Sequence, residues 1–158
     1  MWTAYAQPTG TITDSLARLL DHIKYVPEKL MRFSEAELTE KDTGKWSRKE
    51  ILGHLIDSAI NNLKRFTDAQ FTDEPYSVQS YNQNQLVVVN RYQYLPVEHL
   101  LALWSSLNTQ ILFVAEAMPT DELTKSIQFQ QSDVQTHTLG WLIEDYVAHL
   151  EHHLKTLL

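Results

Sequence analysis

Apolar residues recur every three or four positions through long stretches of this chain, the spacing that lines one face of an α-helix. Ile12, Leu16, Leu19, Ile23, Val26, Leu30 and Phe33 form the first such stripe. Pro27 falls inside it, removes a backbone donor and predicts a kink. A second stripe runs through Val97, Leu100, Trp104, Leu107, Ile111, Val114 and Met118, opened by Pro96 and stopped by Pro119. Between them lies "KWSRKEILGHLIDSAINNLKRF". Its Ser47 and Glu50 have the spacing of a capping box, with Trp46 and Ile51 placed as a hydrophobic staple, so a helix is predicted to start at Ser47. The capping role accounts for Glu50 and removes it from the candidate catalytic carboxylates. The last stripe, Leu139, Leu142, Ile143, Tyr146, Val147, Leu150, Leu154 and Leu157, predicts a helix from about Thr138 to the end.

Four amphipathic helices of this kind predict an all-α, four-helix bundle, and the 158 residues suit one domain spanning 1–158. Two connections stand out. Residues 68–95 far exceed the usual loop of about 4–6 residues, which predicts a functional segment or a short element of its own. Its ordered part is expected in "QNQLVVVNRYQYL", as helix or strand. In the second connection, 119–137, "SIQF" and "VQTH" flank "QQSD" and predict a small hairpin.

Composition narrows the chemistry. The chain has no cysteine, which excludes disulfides, Cys-ligated metals and a Cys nucleophile, and fits a reducing cytoplasm. A net charge of −7 disfavours a nucleic-acid partner. No apolar run approaches the roughly 18 residues of a membrane span, and "MWTAYAQPTG" has no secretory pattern. With four glycines, the chain shows no phosphate loop, dinucleotide fingerprint or GxSxG elbow. HExxH and Glu-x-x-His pairs are absent too.

What remains is histidine. "DYVAHLEHHL" places His149, His152 and His153 in five positions. With Leu139 at 0° on a helical wheel, His153 falls at about 320°, inside the apolar arc, and His149 at about 280°, on its edge. His152, at about 220°, faces out. Two imidazoles one turn apart can converge on a metal, or can be hydrogen-bonded residues at the core edge. A metal centre needs a third ligand from another helix. His54 aligns with Asp57, Asn61 and Arg65 in a polar stripe about 60° outside the apolar arc of its own helix, where the wheel favours a solvent face. His22 appears without company, His99 lies opposite its stripe and His137 falls in a connection.

The segment "KWSRKEILGHLIDSAINNLKRF", followed about ninety residues later by "LIEDYVAHLEHHLKTLL", resembles the DinB-like superfamily of DinB/YfiT-like metalloenzymes. The shared features are the Trp-Ser opening, the Gly-His-Leu-x-Asp centre and the terminal His-x-x-x-His-His block. The resemblance implies an up-down-down-up bundle and a metal held by His54, His149 and His153. Zinc or nickel would suit such a site best, with iron and copper as alternatives. It also implies an enzyme acting on a small molecule, as a hydrolase or as a thiol S-transferase using a low-molecular-weight thiol. The alternative is a non-enzymatic bundle that binds a metal or ligand. Asp57 is the candidate for orienting an imidazole or acting as a base. Asn61, Arg65, Tyr81, Asn82 and Gln85 are candidate pocket residues, and Leu86 stands where relatives often carry Trp. A homodimer is an assembly open to such a bundle.

Overall fold

The computed structural model describes residues 4–5, 11–129 and 136–158. Four long helices carry it: α1 (Ile12–Leu30), α3 (Arg48–Asp68), α5 (Val97–Glu116) and α7 (Leu139–Leu157). Short helices lie in the connections: α2 (Glu35–Thr39), α4 (Gln83–Val89) and α6 (Thr120–Leu123), with a 3₁₀ turn at Tyr92–Tyr94.

The local chemistry of the helix starts follows the sequence. Ser47 Oγ accepts from the Glu50 amide, and the Glu50 carboxylate accepts from the Ser47 amide at 2.9 Å. The other Glu50 oxygen takes Lys41 at 2.7 Å, so this carboxylate is fully engaged in structure. Thr11 with Asp14, and Ser34 with Glu37, form capping boxes at α1 and α2. Helix α1 runs through Pro27 and ends one turn later at Leu30. Phe33 therefore lies beyond the helix, with the Arg48 guanidinium 4.3 Å over its ring.

Helix α1 packs against α5 and α7, and α3 packs against the same two, which sets α1 and α3 on a diagonal. Leu19, Val26, Ile56, Trp104, Ile111, Leu142 and Leu150 are fully enclosed between them. Early α3 meets late α7, since His54 lies beside His149 and His153, while Phe66 further along α3 meets Tyr146. These two helices are therefore antiparallel. Neighbours α3 and α5 are joined by the long 69–96 connection, the crossover that a parallel pair requires. The arrangement is the expected four-helix bundle, and its neighbour order fits up-down-down-up connectivity.

A three-stranded sheet closes one end. Strand β2 (Ser126–Phe129) pairs antiparallel with β3 (Thr136–Thr138), Ile127 opposite His137. This is the expected hairpin; its "QQSD" turn and the start of "VQTH" fall outside the described residues. Strand β1 (Tyr76–Val78) adds in parallel on the other side of β2, with Tyr76 opposite Ile127. Three residues whose partner lies some fifty positions away leave no periodic signal, so β1 was not expected.

The largest departure from expectation concerns α3. Every residue from Lys49 to Ala59 is buried, including the side the wheel assigned to solvent. Helix α4 and the 3₁₀ turn lie on that side and roof it over. The approach is tightest at Gly53. A Cβ there would stand 2.0 Å from Tyr92 Cδ2 and 2.7 Å from its Cβ, so only glycine permits the contact. Gly53→Ala is expected to destabilise the protein by about 1–3 kcal/mol in urea titrations, as overpacking does. An unchanged unfolding midpoint would show that Tyr92 does not rest on this turn of α3.

Candidate metal centre

The capped start of α3 sets His54 in its second turn, and the apolar stripe of α7 turns His149 and His153 toward it. The three side chains can each offer a nitrogen within 4.8 Å of the others, across two antiparallel helices. His54 Nε2 and His149 Nε2 are 3.2 Å apart. Two nitrogens on one tetrahedral metal at about 2.05 Å would be separated by roughly 3.3 Å, so the pair has a suitable bite. His54 is buried, and its Nδ1 has no hydrogen-bond partner among the described residues. A set of neutral nitrogen donors converging at this spacing fits a divalent metal.

Electrostatics point the same way. Burial pushes the His54 and His153 imidazoles down to about 4, helped by the neighbouring His153 and His152 respectively. His149 is pushed further down, first by burial and then by His54, His153 and His152. All three are therefore neutral at pH 7, with lone pairs available and no proton to displace.

Aromatic rings enclose the group. Trp46 lies 5.0 Å from His54, centroid to centroid. Tyr5 lies 5.1 Å from His149 and 5.0 Å from the outward His152. The Tyr5 amide is held by the buried carboxylate of Asp145. Ser58 Oγ approaches His149 Nδ1 at 3.4 Å. Ser58 lies one turn after His54 on the same side of α3, a signal available in the sequence. For Tyr5, far away in sequence and outside any periodic element, there was none.

The remaining expected site residues divide. Asp57 is buried rather than exposed on a surface helix. Its Oδ1 accepts from the Tyr92 hydroxyl at 2.6 Å and from Asn90 Nδ2 at 3.0 Å, while Oδ2 has no partner among the described residues. Burial raises its pKa against the pull of those two bonds. Its hydrogen bonds thus reach the roofing segment, not an imidazole. Arg65 is also buried; it donates to Asn62 and to the Gln79 carbonyl, and its guanidinium lies 5.5 Å over the Tyr81 ring. Burial raises the Tyr81 phenol's pKa, against the pull of the Arg65 guanidinium. Asn61 donates to the Asp57 carbonyl of its own helix, at 2.8 Å. Asn82 caps α4 by accepting from the Gln85 amide, and the side chains of both Asn82 and Gln85 are exposed. His22, expected to stand without company, meets Glu151 at 3.1 Å and shares it with Arg18, tying α1 to α7. His137 stacks on Trp141, with centroids 3.7 Å apart.

A family model described as the DinB superfamily matches residues 12–157. The chain belongs to the DinB superfamily. Among its relatives is a protein of Bacillus pumilus (strain SAFR-032) named "Putative metal-dependent hydrolase", 28% identical over 155 residues, covering 95% of this chain and 87% of that one. Among solved structures, this DinB-superfamily chain resembles YfiT from Bacillus subtilis, described as "a probable metal-dependent hydrolase with an unusual four-helix bundle topology". The TM-score is 0.79 at 18% identity, over 98% of this chain and 90% of YfiT. It also resembles a mycothiol-dependent maleylpyruvate isomerase, with a TM-score of 0.69 at 16% identity over 97% of this chain and 62% of the isomerase. At these identities the two structures establish the fold. No helix among the described residues is long and apolar enough to cross a membrane.

The depressed imidazoles give a signed pH prediction for the metal-free protein. Unfolded histidines take up protons near pH 6.5, whereas folded His54 and His153 refuse them until about 4. Their contribution to stability is therefore full above about pH 6.5 and is lost as pH falls toward 4. Urea midpoints of chelated protein should decline across that window, and His153→Gln should flatten part of the decline. Parallel curves for the two proteins would mean that His153 titrates normally in the fold.

Proposed function

We propose that this chain is a metal-dependent enzyme in which His54, His149 and His153 hold a divalent metal, zinc or nickel before iron or copper. The observation that carries the reading is the convergence of three neutral, largely enclosed imidazoles from two helices. Three protein ligands are the number found in catalytic sites, where a fourth position stays open. A metal so held supplies a Lewis acid that can lower the pKa of a coordinated water or stabilise a thiolate.

The protein's own groups do the rest. Trp46 and Tyr5 flank the imidazoles and limit the water around them. Arg65, beneath the Tyr81 ring, places a buried positive charge near the pocket and favours a substrate with anionic character. The Tyr81 hydroxyl offers a hydrogen bond to that substrate. Asp57 holds Tyr92 and Asn90, and through them the roof of α3, which sets one wall of the pocket. Asn61, Asn82 and Gln85 serve their own helices and stand further from the chemistry.

The reaction supported best is hydrolysis of a small molecule, following the name of the Bacillus pumilus relative and its coverage of nearly the whole chain. Thiol transfer is the second reading, favoured by the likeness in fold to a mycothiol-dependent enzyme over 97% of this chain and 62% of that one.

Elemental analysis of untagged protein should find close to one metal per chain. His54→Ala, His149→Ala and His153→Ala should each lose it, and His152→Ala should keep it. An empty His152→Ala protein with full occupancy in the other three would overturn the ligand assignment. Chelation should leave circular dichroism helical and lower the melting temperature, because the four apolar stripes carry the fold. Collapse on chelation would make the site structural. Ester and amide hydrolysis, tested beside conjugation of a generic electrophile with small thiols, separates the two reactions; metal-loaded protein inert to both would leave a binding bundle.

A further inference from the structure

The connection after α3 is fixed firmly at two points and loosely between them. At one end, strand β1 pairs with β2, and Arg65 Nη2 donates to the Gln79 carbonyl just beyond it. At the other, Tyr92 lies on Gly53 and gives its hydroxyl to Asp57 at 2.6 Å. Gln93 then accepts from the Ser47 hydroxyl and donates to the Thr39 carbonyl at 2.8 Å, which ties the 3₁₀ turn to α2 and to the start of α3.

Between these anchors lie residues 80–90, with α4 at their centre. Val87, at 2% exposure, is the one buried residue of this stretch; Tyr81 and Leu86 are half-buried and the others are exposed. Asn90 adds a polar hold, with its Nδ2 at 3.0 Å from Asp57 Oδ1 and 3.1 Å from the Tyr92 hydroxyl. One valine and one amide are a small counterweight to the entropy of ordering the whole stretch. A helix of seven residues does not hold itself together in water either. At Arg91, between α4 and the anchored turn, the backbone enters the left-handed region with φ 58°. That conformation is unfavourable for a residue with a Cβ, and a movement of α4 relieves it.

We propose that α4 is a lid over the polar face of α3. Val87 and Asn90 latch it, and it swings about Arg91 while Gln79 and Tyr92 stay in place. Opening uncovers the Asp57 carboxyl, whose Oδ2 is buried without a partner among the described residues, one turn along α3 from His54. A small molecule then reaches this face without any long helix being disturbed. Lids of this kind belong to the least stable parts of a fold and open far more often than the domain unfolds. The lid does not depend on the metal, since no imidazole takes part in the latch.

The absence of cysteine makes the test direct, because any introduced thiol is the only one. The thiol of Val87→Cys should react with a thiol reagent at least about 10-fold more slowly than that of Val88→Cys, an exposed position on the same helix. It should react at least about 10-fold faster than that of Ile56→Cys, at a fully buried position in α3. Urea well below the unfolding midpoint should leave the Val87→Cys rate unchanged and raise the Ile56→Cys rate, as local and global opening require. Adding Asn90→Ala to Val87→Cys should speed the reaction by about 3- to 10-fold, the size of one net hydrogen bond; an unchanged rate would remove Asn90 from the latch. A Val87→Cys rate that matches Ile56→Cys and rises with urea would overturn the proposal, because α4 would then open only with the whole domain. A rate equal to that of Val88→Cys would overturn it too, since no closed lid would exist. Should Ile56→Cys fail to fold, hydrogen exchange of the unaltered protein decides. The Leu86 and Asn90 amides, bonded to the Asn82 and Leu86 carbonyls, should exchange at least about 100-fold faster than those of Leu55 and Ala59 in α3, and equal rates would rule the lid out.

Discussion

From Lys49 to Ala59, α3 is buried on every side, and polar groups so placed have to be satisfied from within the protein. His54, Asp57, Ser58, Asn62 and Arg65 are all enclosed. Each would cost several kcal/mol if left bare in an apolar surround. Partners for two of them come from the connection between α3 and α5: Tyr92 and Asn90 for Asp57, and the Gln79 carbonyl for Arg65. That long segment is thus part of the core's polar accounting, not a free loop. Gly53 belongs to the same constraint, because the roof reaches Asp57 only if Tyr92 can lie flat against the helix backbone.

The same enclosure decides the state of the histidines. Charging any of the three would place a cation in a poorly solvated region beside two more imidazoles, so the protons stay off well below the usual histidine range. A divalent cation meets the opposite balance. It finds three lone pairs at once, and those ligands replace its hydration, whereas a proton finds one. Burial that merely weakens a single histidine as a base therefore selects, in a cluster of three, for a metal over protons.

The four long helices, the start of α3 and the inward turn of His149 and His153 were legible in sequence, because each rests on local rules. Capping boxes and apolar periodicity involve residues within a few positions of one another. The state of α3's polar face was not legible. A helical wheel reports only which residues share a face, and His54 with Asp57 and Arg65 is as consistent with water as with a roof. Only the family resemblance placed His54 with the other two. The partners that settle the surroundings of that face, the Gln79 carbonyl, Asn90 and Tyr92, come from the long connection after α3, which has no periodicity and meets α3 through long-range contacts. His22 was missed for the same reason: Glu151 and Arg18 become its neighbours only once α1 lies against α7.

Two buried polar atoms on α3 nonetheless have no partner among the described residues, His54 Nδ1 and Asp57 Oδ2. They lie three residues apart, one turn along the same helix. An unmade hydrogen bond of this kind costs about 1–3 kcal/mol, a large fraction of a domain's net stability. The bundle can carry that cost because its apolar core, around Trp104, Ile111 and Leu142, is complete without the polar face. Asp57 faces the roofing segment and His54 faces the histidines of α7, so the unmet polar atoms of α3 lie on two of its contacts rather than in the apolar core. Conflict between local satisfaction and global packing marks a site kept for something other than folding.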